Sequence, residues 1–174
     1  LFLSAPTSFG KTFLLKQIIY NNYEKYSNIV IVLPTVALLM EVTEDLNTFL
    51  KDSKLFYHIH NSIYRDLQIS EKNIFILTPE RVLRLLAIFP DIDVDFFFYD
   101  EIYKIDEDIT VEGDDDSPSS IAINDNSYQN ERTSNHRACA FRLALYFLLE
   151  KSNACYISGP FIKIDKLKSG FKNM

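Results

Sequence analysis

The chain has 174 residues, of which 47% are hydrophobic and 24% are charged. This size and composition suit one soluble globular domain, and they argue against disorder and against a membrane partner, because no apolar run approaches the roughly 20 residues of a membrane helix. The formal net charge of −6 gives no positive support for a nucleic-acid partner, but it does not exclude one, because backbone amides and hydroxyls also bind phosphates.

Short β-rich runs alternate with helical patterns along most of the chain. The strand candidates are nearly continuous apolar runs, as expected for strands covered on both faces of a parallel sheet; they span residues 2–5, 29–33, 55–60, 74–77, 96–99 and 154–158. Between them, apolar residues recur at helical spacing within residues 14–19, 38–50, 82–89 and about 136–150. This alternation predicts an α/β fold with a mostly parallel sheet of about six strands, in which ligands bind at the carboxyl ends of the strands.

The first motif that carries chemistry lies between the first strand candidate and the first helix, the context that a phosphate-binding loop requires. Gly10 lets the backbone approach a phosphate, and the amides of Ser8 through Thr12 can converge on the β-phosphate at a helix N-terminus, which favours anions. Lys11 can reach the β- and γ-phosphates of ATP, and the Thr12 hydroxyl can ligate Mg²⁺. The usual first glycine of such loops is Ala5 here. The predicted nucleotide-binding residues are Ala5, Pro6, Thr7, Ser8, Phe9, Gly10, Lys11 and Thr12.

The second motif is a pair of adjacent carboxylates, Asp100 and Glu101, directly after the aromatic strand candidate at residues 96–99. An Asp-Glu pair alone is common in solvated turns. Together with the loop at Lys11, it predicts that Asp100 holds Mg²⁺ and that Glu101 orients and deprotonates the attacking water.

One segment, residues 106–133, interrupts the alternation, because it is acidic, then rich in Ser and Asn, and poor in apolar residues. It is predicted to be a flexible insertion loop; a binding segment for a basic partner is the alternative. The first part of this segment has seven acids and no Lys or Arg, so the remainder of the chain nets +1 rather than −6; the seven are Asp106, Glu107, Asp108, Glu112, Asp114, Asp115 and Asp116.

Five motifs then stand in the order found in superfamily 2 helicases, and the chain resembles the DEAD/DEAH-box members of that group over nearly its whole length. Residues 5–12 resemble motif I, residues 33–38 motif Ia, residues 78–81 motif Ib, residues 100–103 motif II and residues 158–160 motif III. A phosphate-binding loop alone would not separate helicases from kinases or GTPases. The Pro-Thr-x-x-Leu and Thr-Pro-Glu-Arg segments of motifs Ia and Ib favour a helicase.

The resemblance implies that motifs Ia and Ib contact the backbone of a single DNA or RNA strand. The residues concerned are Pro34, Thr35, Thr78, Pro79, Glu80 and Arg81. Each motif lies where a strand gives way to a helix, so threonine hydroxyls and nearby amides can bind phosphates without reading sequence. The alternative is that these residues only start helices, because Thr is a common cap and Pro suits the first turn.

The resemblance also implies that the fourth residue of motif II and motif III couple the ATP site to movement. These residues are Tyr103, Ser158 and Gly159. Tyr103 stands where family members usually have Asp or His, and Ser-Gly-Pro replaces the familiar Ser-Ala-Thr, which puts the coupling route in doubt. Similar variants occur in bacterial helicases, some of them in defence systems.

The implied architecture is one RecA-like three-layer domain over residues 1–174, with helices on both faces of the sheet. The arginine finger and motifs IV to VI belong to a second RecA-like domain of the same polypeptide in this family. The chain supplies none of them, so it is expected to hydrolyse ATP poorly by itself. The implied function is ATP-driven unwinding or remodelling of DNA or RNA. The alternatives are a duplex translocase of the restriction or remodelling type and a nucleotide-gated binding module without turnover.

Other features bear on the setting of the protein. The chain begins without Met and without a charged leader segment, which favours a start inside a longer protein. Cys139 and Cys155 form neither a disulfide framework nor a zinc-type pair, so a reduced, cytoplasmic setting is expected. His58 and His60 share one strand face, but no further metal ligands accompany them.

Overall fold

The fold is an α/β sandwich, described here from a computed structural model over residues 2–4, 10–102 and 125–159; for residues 2–4 and 125–135 only the backbone is described. Its strands are β1 (Phe2–Ser4), β2 (Asn28–Val32), β3 (His58–His60), β4 (Asn73–Leu77), β5 (Val94–Tyr99) and β6 (Ser152–Gly159). Its helices are α1 (Lys11–Asn21), α2 (Val36–Asp52), α3 (Pro79–Ile88) and α4 (Asp125–Lys151). The six strands form one sheet in the order β1-β6-β5-β2-β4-β3, and every described pairing is parallel.

Helices cover the sheet on both faces because successive residues of each strand point to opposite sides. Ile29 and Ile31 of β2 pack in a core with residues of α1 and α2, including Leu15 and Leu46. Val30 and Val32 pack in the opposite core with residues of α3 and α4. The predicted α/β class is therefore confirmed, as is the RecA-like three-layer arrangement with its sheet of about six strands.

The sheet topology brings distant parts of the sequence to one edge. β5 lies between β2 and β6, and β1 pairs with the far side of β6, so the carboxyl ends of these four strands are neighbours. Ser4 stands opposite Gly159 in the register of β1 and β6. Asp100 continues the ladder beyond β5, since its amide donates to the carbonyl of Val32 over 3.1 Å. The chemical groups of interest are gathered at this edge.

Two of the predicted segments need correction beyond small shifts of their ends. The strand predicted at residues 55–60 is limited to His58–His60. The helix predicted from about residue 136 begins at Asp125, so the prediction of a flexible loop through residue 133 is wrong for its last nine residues. The early part of α4 is polar on all sides and gives no apolar period, although Gln, Glu and Arg are good helix formers. The rest of the predicted loop, residues 106–124, lies outside the described residues.

In the described ranges, no helix is both long enough and apolar enough to cross a bilayer.

Candidate functional site

The first helix begins at a glycine whose backbone is left-handed. Gly10 has φ 73° and ψ 21° and precedes Lys11, the first residue of α1. A Cβ added to Gly10 would meet no atom within 4 Å, so the backbone conformation, rather than crowding, is what favours glycine here. Gly10, Lys11 and Thr12 of the predicted phosphate-binding loop are described, whereas Ala5, Pro6, Thr7, Ser8 and Phe9 lie outside the described residues.

The carboxylate of Asp100 is the meeting point of the site. Its Oδ1 accepts hydrogen bonds from Lys11 Nζ over 2.7 Å, from Ser158 Oγ over 2.6 Å and from the amide of Glu101 over 2.9 Å. The side chains of Lys11 and Asp100 are only 8% and 15% exposed. The structure therefore brings one predicted residue of each of motifs I, II and III into contact, although they are far apart in sequence.

Glu101, the second acid of the pair, has a strained backbone. Its φ of 54° lies in the left-handed region, which an L-residue with a Cβ adopts at a cost of about 1–2 kcal/mol. The side chain is half-buried and takes part in a further interaction. Strained residues cluster at functional sites, where the surrounding structure imposes a geometry that the chemistry requires. The left-handed backbone of Glu101 is therefore consistent with a functional position.

Ser158 and Gly159 occupy the end of β6 and are both buried. The strand places Ser158 beside the start of the Asp100–Glu101 turn, because Tyr99 of β5 stands opposite Ile157. Ser158 thus reaches the same carboxylate oxygen as Lys11. Tyr103, the other predicted coupling residue, lies outside the described residues.

A buried tyrosine, Tyr156, lies near this carboxylate and was not anticipated from the sequence. Burial, followed by the negative charge of Asp100, raises the pKa of the Tyr156 phenol. Its hydroxyl has no hydrogen-bond partner among the described residues. The apolar run that predicts the strand gives no sign of this hydroxyl, because a tyrosine in such a run is indistinguishable from a core aromatic.

The residues of motifs Ia and Ib lie side by side on a neighbouring part of the same edge. β2 and β4 pair in register with Val32 opposite Leu77, and α2 and α3 begin a few residues later. Thr35 caps α2, since its Oγ1 accepts from the amide of Leu38 over 3.3 Å. Thr78 precedes Pro79 at the start of α3 and makes no side-chain cap. The capping interpretation therefore applies to the hydroxyl of Thr35 and not to that of Thr78.

Two arginines lie beside these helix starts. Arg81 donates from Nη1 to the carbonyl of Asn61 over 2.7 Å. Arg137 of α4 donates from Nη2 to the carbonyl of Pro34 over 2.6 Å, and its Nε lies 4.0 Å from Oε1 of Glu80. No pattern in the sequence indicates a role for Arg137. It lies on α4, more than 50 residues from motif Ia and from motif Ib.

Of the two histidines on β3, His58 is exposed and His60 is half-buried. His60 makes a hydrogen bond of 3.1 Å to Asn73 and stacks on Phe75 with ring centroids 5.0 Å apart, as expected of a structural histidine. Across the described ranges, no cluster of three or more His, Cys, Asp or Glu side chains is arranged to hold a metal ion.

Comparison with known proteins identifies the family. The chain is 31% identical over 160 residues to anti-bacteriophage protein B of Escherichia coli (strain K12), a match that covers 92% of this chain and 18% of that protein. It also resembles a solved structure of a nuclease-deletion mutant of the Type ISP restriction-modification enzyme LlaGI in complex with a DNA substrate mimic. That likeness has 14% identity and a TM-score of 0.46, and it covers 61% of this chain and 11% of the other. A profile of DEAD/DEAH box helicases matches residues 1–115. The chain therefore belongs to the DEAD/DEAH box helicase family.

Proposed function

We propose that this chain is the ATP-binding domain of a nucleic-acid-dependent motor, which couples ATP hydrolysis to the unwinding or remodelling of DNA or RNA. The observation that carries the proposal is the convergence of Lys11 and Ser158 on one oxygen of Asp100. In a helicase, the lysine binds nucleotide phosphates and the aspartate holds the metal. The serine couples nucleotide binding and hydrolysis to movement of the rest of the protein.

Lys11 is the phosphate-binding group in this proposal. Its ammonium is nearly buried and is paired with a single carboxylate oxygen. A triphosphate offers an ammonium several anionic oxygens at once, so we expect Lys11 to exchange Asp100 for the β- and γ-phosphates of ATP. The backbone amides of residues 8–12 are proposed to bind the same phosphates.

The oxygen-bearing side chains at the site fit Mg²⁺, which prefers hydroxyl, carboxylate and water oxygens. Among the described residues, Oδ2 of Asp100 has no hydrogen-bond partner, because all three donors contact Oδ1. Asp100 and Thr12 would hold the ion, and the ion would neutralise charge on the phosphates. Glu101, held beside Asp100 by the turn, is the proposed base for the attacking water.

Ser158 gives the site a coupling route. When Lys11 leaves Asp100 for phosphate, the Ser158 hydroxyl and the Glu101 amide remain as donors to the carboxylate. Because Ser158 lies near the end of β6, a change in the position of Asp100 is expected to reach that strand directly. The proposed route runs from Asp100 of motif II to Ser158 of motif III. Gly159 and Tyr103 are proposed to extend it.

The helix starts of α2 and α3 are the proposed path of the nucleic-acid backbone. Thr78 is largely buried, but its hydroxyl makes no cap bond, so it is proposed to donate to a phosphate that lies directly against the turn. The exposed first turn of α2 at Val36 and Ala37 allows a strand to approach its amides. Pro34 and Pro79 shape the two turns. Arg81 adds positive charge beside α3, while Glu80 is the one acid of the set.

Nucleotide binding is the most direct test. In the full-length protein, Lys11→Ala is expected to weaken binding of Mg·ATP, measured by calorimetry with a non-hydrolysable analogue, by at least about tenfold, because a charge-assisted phosphate contact is lost. Lys16→Ala is the matched control, because Lys16 lies on the same helix but pairs with Asp45. Well-folded protein that takes up no nucleotide would contradict the proposal.

A further inference from the structure

The geometry points to Arg137 as a further nucleic-acid contact, one that binds a backbone phosphate between the starts of α2 and α3. This inference rests on the proposed function, since it adds a residue to the path proposed there. It concerns a part of the chain, helix α4, that none of the helicase motifs in the sequence includes.

Arg137, on α4, lies beside both motif Ia and motif Ib. Its Nη2 donates to the carbonyl of Pro34, immediately before the cap of α2. Its Nε faces the carboxylate of Glu80 in the first turn of α3. Because β2 and β4 pair in register, the two turns are neighbours, and the guanidinium lies across them.

Among the described residues, the guanidinium uses only part of its hydrogen-bonding capacity. One of its five N–H groups makes the 2.6 Å bond to Pro34, and the 4.0 Å separation from Glu80 is too long for a hydrogen bond. The side chain of Arg137 is 54% exposed. A planar, solvent-facing guanidinium with free donors suits a phosphate diester, which accepts two parallel hydrogen bonds from such a group.

The ion pair with Glu80 is weak enough to give way. Both partners are about half exposed, and exposed pairs contribute at most about 1 kcal/mol. Arg137 also solves an electrostatic difficulty of the proposed path, because the Glu80 carboxylate would otherwise repel a phosphate. With Arg137 beside it, the charge of Glu80 is offset before a strand binds.

The bond to Pro34 explains how the contact is positioned. Anchored by one nitrogen, the guanidinium is held in place before the strand arrives, so less side-chain entropy is lost on binding. Arg81 is not equivalent, since it is half-buried and donates to Asn61 on the other side of α3.

The experiment measures binding of a fluorescein-labelled single-stranded oligonucleotide of mixed sequence, as DNA and as RNA, to the full-length protein over a range of salt concentrations. Arg137→Gln is expected to weaken binding by about threefold to tenfold and to reduce the slope of log K against log salt by about 0.7, the value for one phosphate contact to a single strand. Lys25→Gln, which removes one exposed charge from the turn before β2 at the opposite edge, is expected to change neither.

The Arg137→Lys variant distinguishes the loss of a phosphate contact from the loss of folded structure. It keeps the charge, so it is expected to restore the salt slope while recovering only part of the affinity, and its melting temperature checks that α4 is intact. An unchanged slope in Arg137→Gln, even with weaker binding, would show that Arg137 only holds the two turns together and would overturn the inference. If the unaltered protein binds neither oligonucleotide, the proposed function fails and this inference fails with it. If the unaltered protein binds but Arg137→Gln binds equally well, only this inference fails.

Discussion

At the scale of single residues, the site depends on how one carboxylate oxygen is shared. Oδ1 of Asp100 accepts three hydrogen bonds, from an ammonium, a hydroxyl and a backbone amide. Together these donors fix the orientation of the carboxylate in a mostly buried place. Removing one donor leaves the others in place, so individual substitutions are expected to alter function before they unfold the domain.

Substitutions of Glu101 separate effects on activity from effects on stability. Glu101→Ala and Glu101→Gly both remove the proposed base, so both are expected to lower ATP turnover by about 10²- to 10⁴-fold. Glycine adopts the observed φ of 54° without strain, so Glu101→Gly should be about 1 kcal/mol more stable than Glu101→Ala in denaturant unfolding.

Glu101→Gln is the conservative control, since it keeps the size of the side chain and removes only the base. Full turnover in that variant would favour a nucleotide-gated binding module over a motor. Equal stability of the Ala and Gly variants would mean that the left-handed backbone stores no strain.

Ser158→Ala tests the coupling route. The variant loses a buried hydrogen bond to a charged group, which costs about 1.5–3 kcal/mol, but it leaves Lys11 and Asp100 in place. We therefore expect nucleotide affinity within about twofold of normal and a fall of about tenfold in the stimulation of ATP hydrolysis by nucleic acid. Ser152→Ala, at the other end of β6, is the control. Normal stimulation in Ser158→Ala would exclude Ser158 from coupling.

At the scale of elements, tyrosine hydroxyls donate to backbone carbonyls of neighbouring segments. Tyr99 of β5 donates from its hydroxyl to the carbonyl of Phe141 in α4 over 2.8 Å. Burial, with a smaller effect from the negative charge of Glu80, raises the pKa of Tyr99 far above its ordinary value of 10.0. Burial likewise raises the pKa of Tyr57, whose hydroxyl donates to the carbonyl of Tyr26 over 2.7 Å. These hydroxyls hold their protons in the folded state.

The raised pKa of Tyr99 predicts how stability changes at alkaline pH. Above about pH 10 the unfolded chain loses this proton and the folded protein keeps it, so stability is complete below pH 10 and falls as pH rises beyond it, by up to about 1.4 kcal/mol per pH unit. Tyr99→Phe should be about 1 kcal/mol less stable at neutral pH, yet its free energy of unfolding should decline less steeply between pH 10 and 11.5. Tyr20→Phe, at an exposed site on α1, is the control. Parallel slopes for Tyr99→Phe and the unaltered protein would contradict the assignment.

At the scale of the whole molecule, the two edges of the sheet have different character. The carboxyl edge carries Lys11, Asp100 and Ser158. The amino edge is closed by a buried polar network, in which Asn73 donates to Asn28 over 2.8 Å and Asp95 accepts from the amides at the start of β2. A network with its donors and acceptors paired fixes structure, which leaves the carboxyl edge as the place for ligands, as is general for open parallel sheets.

The size of the chain relative to its family leads to the last prediction. The chain covers 18% of the length of the curated relative it matches, and helicases of this family complete their catalytic site with a second RecA-like domain. Residues 1–174, expressed alone, are therefore expected to bind Mg·ATP but to show at most about 1% of the nucleic-acid-stimulated turnover of the full-length protein, because loss of an arginine finger costs about 10³-fold or more. Strong stimulated turnover by residues 1–174 alone would contradict this expectation.

Much of this fold can be predicted from the sequence because its signals are local. Nearly continuous apolar runs such as Phe96 to Tyr99 predict buried parallel strands, and the Gly-Lys-Thr segment predicts the start of α1 at a phosphate-binding turn. The start of α4 could not be predicted, since helix formation in its polar first turns leaves no apolar period. The extent of β3 was also missed, because which residues pair depends on the neighbouring strand β4.

By itself, the sequence determined the α/β class, the family, and the identity of Lys11, Asp100, Glu101 and Ser158 as residues of interest, because each of these depends on residue type and order along the chain. The tertiary structure alone decided that Lys11 and Ser158 share one oxygen of Asp100 and that Arg137 spans the starts of α2 and α3. Contacts of this kind join residues that are between 57 and 103 positions apart. They exist only because parallel strands bring the ends of distant segments to the same edge, which no local pattern records.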